Sequence, residues 1–225
     1  MVLDDIIGQL ELQLNSIFPR GGANLALIEC EVKIAYERCI KALSASKDKY
    51  LNLNGQPVFS LYHSGCWSIF LYYLSNSLSD EKKEWAQKIF YLNKVLHSVD
   101  WYYEINLPDH FMAVHPMGSV LGRALYGDYL VIYQGVTIGS SISLNGGELH
   151  YPILGKGIIL FPDAKIMGSS IIGNNVILSA GSCIINENIP DDSIVFGCSP
   201  NLIIKEEASK VKKLLERAWR RYDKS

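Results

Sequence analysis

The sequence predicts an α+β protein in which an N-terminal α-helical domain precedes a parallel β-helix and a single C-terminal helix. Up to about residue 98, apolar residues follow helical spacing. From residue 114 to residue 184, an aliphatic or aromatic residue returns at every sixth position, with one break. A period of six fits neither a helix nor an ordinary strand, so it indicates a repeat architecture. We therefore expect three units, at residues 1–98, 99–204 and 205–225.

The N-terminal unit is predicted to contain four helices. The first has apolar residues at helical spacing and ends before the Pro/Gly-rich segment 19–22. The other three are expected over residues 24–43, 64–80 and 81–96. Ser64 is the expected N-cap of the third helix, because a serine side chain can accept a hydrogen bond from the first turn. Acidic residues occupy the first turn of the fourth helix, where the helix dipole favours them.

Each six-residue repeat is predicted to form a short strand and a turn, so that three repeats make one triangular coil. The inward positions of the first run are Val114, Val120, Tyr126, Ile132 and Ile138. Those of the second run are Leu154, Leu160, Ile166, Ile172, Leu178 and Ile184. Between the two runs the spacing is sixteen residues where twelve would keep the frame. The longer spacing therefore predicts a loop that projects from the coil at about residues 140–152. Loops on rigid scaffolds often carry function.

Four glycines directly follow inward positions of the repeat, where we expect tight backbone bends. They are Gly127, Gly139, Gly155 and Gly173.

Charge and composition exclude several classes of function. The net charge is −2 and the pI about 6.2, which favours binding neither to nucleic acid nor to a membrane surface. No apolar stretch approaches the length of about 20 residues that spans a bilayer, and the N-terminus lacks the basic segment of a signal peptide. The five cysteines form no CxxC pair, which suggests reduced thiols and a cytoplasmic protein.

The last helix, expected over residues 206–222, combines an apolar stripe with a basic face. The basic residues are Lys210, Lys212, Lys213, Arg217, Arg220 and Arg221. Such a face is commonly solvated, and the alternative is contact with the phosphates of a nucleotide ligand.

The repeat resembles the left-handed β-helix of hexapeptide-repeat acyltransferases and, more narrowly, serine acetyltransferase. Residues 133–139 (YQGVTIG) are similar to the family stretch LQSVTLGG, and residues 160–168 (LFPDAKIMG) to IGAGAKILG. Residues 146–152 (GGELHYP) partly match the GGDRHP loop, and residues 196–203 (FGCSPNLI) match AGVPARIV. The resemblance covers about residues 100–204. It implies the left-handed coil, acetyl-CoA as co-substrate, no metal, and a homotrimer with shared active sites.

The resemblance also implies roles for individual residues. The family's catalytic base lies in LDHATG, which corresponds to residues 113–118 (AVHPMG) and assigns the base to His115. A histidine suits this role because its pKa lies near neutrality. The carboxylate that orients the base corresponds to Glu104, with Asp109 as the alternative. His150 corresponds to the loop histidine that helps to hold the acceptor.

Two departures from the family concern the acceptor. The aspartate of LDH is Val114 here, and the arginine of the GGDRHP loop is Leu149. A site without these charges should bind a free amino acid poorly, because buried charges need partners. We therefore expect a sugar hydroxyl as the acceptor. Possible flat surfaces for the sugar ring are Trp101, Tyr133 and Tyr151. L-Serine remains the alternative acceptor.

Acetyl-CoA is expected to contact backbone groups at positions that the resemblance supplies. They are Gly139, Phe161, Pro162 and Ala180. The expected reaction is direct transfer without an acyl-enzyme, in which His115 removes the acceptor proton. Two rival hypotheses stay open. One is a zinc lyase of the β-helix carbonic anhydrase type, with His110, His115 and His150 as ligands. The other is a non-catalytic scaffold.

Overall fold

The computed structural model describes residues 2–18, 24–78, 82–142, 147, 149–220 and 222, and these form a helical layer, a β-helix and a final helix. The helices are α1 (Val2–Ile17), α2 (Glu29–Ala45), α3 (Ser64–Ser77), α4 (Lys83–His97) and α5 (Ala208–Ala218), with a short 3-10 turn at Leu25–Leu27. All four N-terminal helices are as predicted, with shifted ends. The Pro/Gly-rich segment 19–22 and the junction of the third and fourth helices at 79–81 lie outside the described residues.

Helix α3 is the centre of the helical layer, packed between α2 and α4. Every residue from 65 to 75 is buried, and the ring of Trp67 stacks on that of Phe70 at 4.8 Å. The prediction of Ser64 as N-cap is wrong. The helix already begins at Ser64, and His63 caps it by accepting a hydrogen bond from the Cys66 backbone N–H at its Nδ1 atom, at 3.2 Å.

Short parallel strands stack into the three walls of the β-helix, as the sixfold period predicts. The first wall contains β3 (Asp100–Trp101), β5 (Val120–Leu121), β8 (Thr137–Gly139), β13 (Lys165–Met167) and β16 (Cys183–Ile185). The second contains β4 (Phe111–Ala113), β7 (Leu130–Ile132), β12 (Ile158–Leu160), β15 (Val176–Leu178) and β18 (Ser193–Phe196), closed by antiparallel β19 (Ile203–Glu206). The third contains β6 (Leu125–Tyr126), β11 (Ile153–Leu154), β14 (Ile171–Ile172) and β17 (Asn188–Ile189).

The strand register confirms the loop predicted at 140–152. Leu160 pairs with Leu178 in the next coil, 18 residues later. It also pairs with Ile132 in the preceding coil, which is 28 residues earlier. The ten extra residues project from the coil as an antiparallel pair of strands, β9 (Ser141–Ile142) and β10 (Leu149–His150). The walls therefore keep their alignment across the insertion. Residues 143–146 and 148 of this loop lie outside the described part of the chain.

The inward positions predicted for the second run are all buried. In the first coil the prediction is wrong by one residue: Ala113 and Leu121 are buried, whereas Val114 is half-buried and Val120 is 40% exposed. The cause is a longer corner. Eight residues separate Ala113 from Leu121, but their partners Ile132 and Ile138 are six apart.

A column of glycines marks where successive coils approach most closely. A Cβ added to Gly127 would lie 2.3 Å from the Gly155 carbonyl oxygen, and one added to Gly155 would lie 2.7 Å from the Gly173 carbonyl carbon. None of the three has a positive φ. Glycine is therefore required here because there is no room for a Cβ between the coils, and not because of the backbone bend expected from the sequence.

The helical layer and the β-helix share one hydrophobic core, which runs from Ile6 to Val195. At their junction the start of α3 lies directly on the first coil, since a Cβ on Gly65 would be 2.4 Å from the Ala113 carbonyl oxygen. The division into three domains at residues 98 and 204 stays a prediction.

Helix α5 covers the outer face of the second wall, against which it buries Val211, Leu215 and Trp219. This agrees with the apolar stripe predicted from the sequence. In the described ranges, no helix combines the length and the apolar character needed to cross a lipid bilayer.

The glycine column can be tested with Gly155→Ala. We expect the added methyl group to force the coils apart and to lower the free energy of unfolding by about 2–3 kcal/mol. The matched control is Gly8→Ala on α1, where an added Cβ meets nothing within 4 Å. That change should raise stability by about 0.5–1 kcal/mol, because alanine favours a helix. Urea denaturation measures both, and equal effects would contradict the interpretation.

Candidate active site

His115 lies in the long corner that follows β4. Its φ of +48° places it in the left-handed region, and its side chain is exposed without a described hydrogen-bond partner. The corner itself is held firmly. The Ser119 hydroxyl donates to the Pro116 carbonyl at 2.6 Å, and the Gly118 N–H donates to the Ser98 carbonyl at the end of α4 at 2.9 Å. A fixed backbone therefore presents an unpartnered imidazole to solvent.

Backbone hydrogen bonds stack this corner over the same corner of later coils. The N–H of Val114 donates to Ile132 at 2.9 Å, and that of Phe161 donates to Leu178 at 3.0 Å. Val114, Tyr133 and Phe161 thus follow one another down the column, one per coil, and the rings of the last two stack at 5.2 Å.

Three of the four residues expected at acetyl-CoA occupy this corner. Pro162 follows Phe161 directly, and its carbonyl accepts the Gly181 N–H at 2.8 Å, which places Ala180 beside it. Gly139 does not belong to this group. It ends β8, at the far side of the first wall, next to Met167.

A groove of about 240 Å³ adjoins the column, between the second wall and α5. Its floor is apolar, with Val114, Tyr133 and Phe161 among the lining residues. The charged lining residues are two cations, Lys47 and Arg217, and one carboxylate, Asp48. Burial raises the pKa of the Tyr133 phenol, so this hydroxyl stays neutral. An apolar floor with cations at the rim can accept a ligand that joins an apolar chain to an anionic group.

Neither predicted orienting carboxylate contacts His115 within the described structure. Glu104 lies 3.8 Å from Lys83 of α4 and is largely exposed. Asp109 pairs with Lys41 of α2 at 2.7 Å, and this hydrogen bond lowers the pKa of the Asp109 carboxyl. The orienting role of Glu104, with Asp109 as the alternative, therefore stays a prediction.

A different histidine, His110, does have a carboxylate partner. Its Nδ1 lies 2.7 Å from Asp128 Oδ2, and its ring stacks on Tyr129 at 4.5 Å. From the sequence, His110 is expected only as a zinc ligand, and this pair was missed. The available signal was the spacing of 18 residues, within one residue of the 19 that separate paired positions of β4 and β7.

The histidines of the zinc hypothesis are not brought together in one subunit. His110 precedes β4 and His115 lies in the corner that follows it, and the three residues of the strand between them span about 10 Å. In the described parts of the chain, no three His, Cys, Asp or Glu side chains form a metal-binding group. The geometry does not support the zinc lyase.

The remaining predicted acceptor residues are dispersed. His150 and Leu149 lie on β10 of the projecting hairpin, with Leu149 47% exposed. Tyr151 follows them and is half-buried. Trp101 was proposed as a surface for a sugar ring, and this is wrong: it is buried in the core and donates its Nε1 hydrogen to Ser119 at 2.9 Å.

Comparison of the sequence with known proteins identifies serine acetyltransferases as relatives, whereas no family model matches the chain. The serine acetyltransferase of Synechococcus elongatus is 34% identical over 116 residues, which cover 51% of this chain and 46% of that protein. The enzyme of Staphylococcus aureus is 26% identical over 156 residues, or 68% of this chain and 71% of that protein. The chain thus spans only about half the length of the cyanobacterial relative.

Solved structures with the same fold point in the same direction. A hexapeptide-repeat serine O-acetyltransferase from Brucella melitensis superposes with a TM-score of 0.70 at 19% identity, over 92% of this chain and 83% of that chain. A serine acetyltransferase in complex with cysteine gives 0.69 at 20% identity, over 87% and 83%. One in complex with CoA gives 0.68 at 18% identity, over 88% and 83%. At these identities the likeness establishes the fold.

The chain is serine acetyltransferase-like, with the left-handed β-helix fold of hexapeptide-repeat acyltransferases. This confirms the resemblance and the fold class predicted from the sequence. It also corrects the expected acceptor. The relatives found by sequence are serine acetyltransferases, and none of these findings favours a sugar, so the expectation of a sugar hydroxyl is wrong. The missing charges at Val114 and Leu149, on which that expectation rested, do not identify another acceptor.

The His110–Asp128 pair can be tested with Asp128→Asn. The amide oxygen can still accept the backbone N–H groups of His110 and Tyr129, which Asp128 Oδ1 now accepts. Only the charge-assisted contact to Nδ1 is lost. We expect the free energy of unfolding to fall by about 1–2 kcal/mol. The control Asp163→Asn removes an exposed carboxylate from another left-handed corner position and should change stability by less than about 0.5 kcal/mol. Equal losses would show that the pair contributes nothing specific.

Proposed function

We propose that the protein is an acetyl-CoA-dependent O-acetyltransferase that acts on L-serine. The observation that carries the proposal is the likeness to serine acetyltransferases, seen both in sequence and in fold. The corner geometry supports it. His115, Phe161, Pro162 and Ala180 lie on one edge of the β-helix, beside a groove with an apolar floor and two cations against one carboxylate among its charged lining residues.

In the proposed reaction His115 is the general base. It removes the proton of the serine hydroxyl while the oxygen attacks the thioester carbonyl carbon. The carbon–sulfur bond then breaks, and the imidazolium returns its proton to the departing thiolate. The products are O-acetylserine and CoA, and no acyl-enzyme forms. Glu104, or Asp109 in its place, is proposed to orient the base.

Acetyl-CoA is proposed to lie along the corner column, with its chain on the apolar floor of the groove. Phe161, Pro162 and Ala180 offer backbone groups there, and Lys47 and Arg217 offer positive charge at the rim. Gly139, at the far end of β8, has no place in this arrangement unless a second subunit contributes it. His150 is proposed to help hold serine from the projecting hairpin.

We also propose that the protein is a homotrimer. Among the described elements, no helix packs extensively against the third wall of the β-helix, which presents a column of aliphatic side chains. Leu125, Ile153 and Ile171 pair directly across β6, β11 and β14, and are 66%, 43% and 47% exposed. Exposed apolar patches of this kind commonly mark interfaces. The cytoplasmic location predicted from the cysteines stays a prediction.

The acceptor and the base can be tested together. With acetyl-CoA and millimolar L-serine, we expect thiol release and O-acetylserine, detected by mass spectrometry. His115→Asn should reduce the rate by about 10²–10⁴-fold, the usual contribution of a general base. Asparagine is the sharper choice over alanine, because it tolerates the left-handed backbone that position 115 requires. The matched control Lys213→Gln, on the exposed face of α5, should retain full activity.

No product from L-serine with well-folded protein would reject this acceptor. Product formation at an equal rate in wild type and His115→Asn would reject the base and leave the acceptor intact.

The oligomer can be tested by light scattering. We expect three times the chain mass of 25.2 kDa. Ile153→Lys, in the middle of the aliphatic column, should lower the mass, because a lysine ammonium is costly to bury in an apolar interface. Tyr62→Lys, at a side chain that is 90% exposed in the helical layer, is the control and should leave the mass unchanged. A wild-type mass near that of one chain would contradict the trimer.

A further inference from the structure

A second, larger cleft lies at the opposite end of β4 from His115. It measures about 730 Å³ and lies where α2, the β1–β2 hairpin (Asn52–Leu53 and Gln56–Pro57), the first coil and the residues after α5 meet. Its lining residues are Lys41, Ser44, Ala45, Gly55, His110, Tyr129 and Arg220. None of these belongs to the proposed acetyl-transfer corner.

Arg220 brings a positive charge to this cleft that no described carboxylate neutralises. Its Nε donates to the Ser46 carbonyl at 3.0 Å, and its Nη2 donates to Asn52 Oδ1 at 2.6 Å. Both acceptors are neutral. The third nitrogen, Nη1, lies 3.9 Å from where a Cβ on Gly55 would be, on the side of the cleft that Gly55 lines. The guanidinium is thus fixed in place with donors to spare.

His110 is held in a similar way. Its Nδ1 is occupied by Asp128 at 2.7 Å, and its ring is fixed against Tyr129. This leaves Nε2 as the nitrogen that can contact a ligand in the cleft. Because the Nδ1 hydrogen is donated to Asp128, Nε2 accepts a hydrogen bond in the neutral ring and donates one only in the imidazolium. The carboxylate of Asp128 is itself fully used, because its other oxygen accepts the backbone N–H groups of His110 and Tyr129.

Lys41 supplies a second cationic donor, and it shares its carboxylate partner with another cation. Lys41 shares Asp109 with Arg38, at 2.7 and 3.8 Å. One carboxylate therefore serves two cations. Arg220 adds a further permanent cation on the other side of the cleft.

We infer that this cleft binds a phosphate group. A guanidinium and an ammonium beside one cavity provide several N–H donors, and phosphate oxygens accept such charge-assisted hydrogen bonds strongly. The Nε2 atom of His110 can accept the hydroxyl hydrogen of a monoprotonated phosphate or, in the imidazolium, donate to a phosphate oxygen. Among the basic residues predicted for the last helix, Arg220, which follows the end of α5, is therefore the one that contacts the phosphate group. The cavity is larger than a phosphate ion, so a phosphorylated small molecule fits it better than the ion alone.

The test uses inorganic phosphate as the probe and the full chain. Phosphate should raise the melting temperature of the wild type, whereas chloride at equal ionic strength should not, because a ligand that binds only the folded state stabilises it. Arg220→Gln should weaken phosphate affinity at least about tenfold, as expected for the loss of a charged hydrogen-bond donor. Lys213→Gln, an exposed basic residue of α5, is the matched control and should bind normally.

Arg220→Gln also removes contacts to Ser46 and Asn52, so Lys41→Gln serves as a second variant. Lys41 is exposed and its loss should not affect folding, yet phosphate affinity should fall several-fold. The inference is overturned if phosphate does not stabilise the wild type. It is equally overturned if Arg220→Gln and Lys41→Gln both bind phosphate as Lys213→Gln does. These measurements involve no acetyl transfer, so their failure is independent of the proposed function.

A further comparison identifies the source of the phosphate group. If it is the 3′-phosphate of CoA, dephospho-CoA should bind the wild type more weakly than CoA, and Arg220→Gln should abolish that difference. If it is a separate phosphorylated molecule, the two nucleotides should bind alike while inorganic phosphate still depends on Arg220.

Discussion

The structure depends on the backbone register between successive coils. Each strand must hydrogen-bond to the strand one coil earlier and one coil later, so every coil must return to the same position along each wall. The insertion near residue 140 shows how strict this is. Ten extra residues leave the pairing of Leu160 with Ile132 and with Leu178 intact, because the chain projects them as a hairpin. Function can therefore vary at the corners and loops while the walls stay fixed.

The first coil departs from this regularity at the place where the candidate base lies. Its corner contains two residues more than the corner below it, and His115 takes up a left-handed conformation there. The walls on both sides, Ala113 and Leu121, remain buried and in register. The extra length thus lifts an imidazole out of the stack without disturbing the core. A catalytic group needs such exposure, whereas a structural residue would be expected to point inward.

Most of the fold could be predicted from the sequence, because the geometry of the helix and of the six-residue coil sets both the spacing of the apolar residues and which of them are buried. All inward residues of the second run are buried as predicted, and the helices lie where their apolar spacing indicates. The failures are local. The one-residue error at Val114 and Val120 arose because a longer corner shifts the phase, which a period cannot reveal. Ser64 was preferred as a cap by residue type, yet the imidazole of His63 has the right position.

The candidate site was less predictable, because it depends on contacts between distant parts of the chain. The repeat frame indicates an outward-facing His115, and this side chain is exposed at a corner. Its role as the base comes only from the resemblance to a family and stays a prediction. The two carboxylates expected to orient His115 form ion pairs with lysines on other helices instead. Lys83 of α4 lies beside Glu104, and Lys41 of α2 binds Asp109. Local sequence does not contain these long-range ion pairs. The His110–Asp128 pair was likewise visible only once the coil length had been fixed.

The two histidines at the ends of β4 illustrate what a catalytic imidazole requires. His110 has a carboxylate and an aromatic ring to hold it, and its tautomer is therefore fixed before any ligand arrives. Among the described residues, His115 has neither. An imidazole that rotates freely loses much of the advantage of a positioned base, because alignment with the acceptor hydroxyl must then be established at each turnover. Proposed acetyl transfer by His115 thus requires that bound reactants or a neighbouring subunit restrict the ring. The proposed homotrimer and the proposed base are therefore physically linked, since the described residues of one chain leave the His115 ring without a partner that orients it.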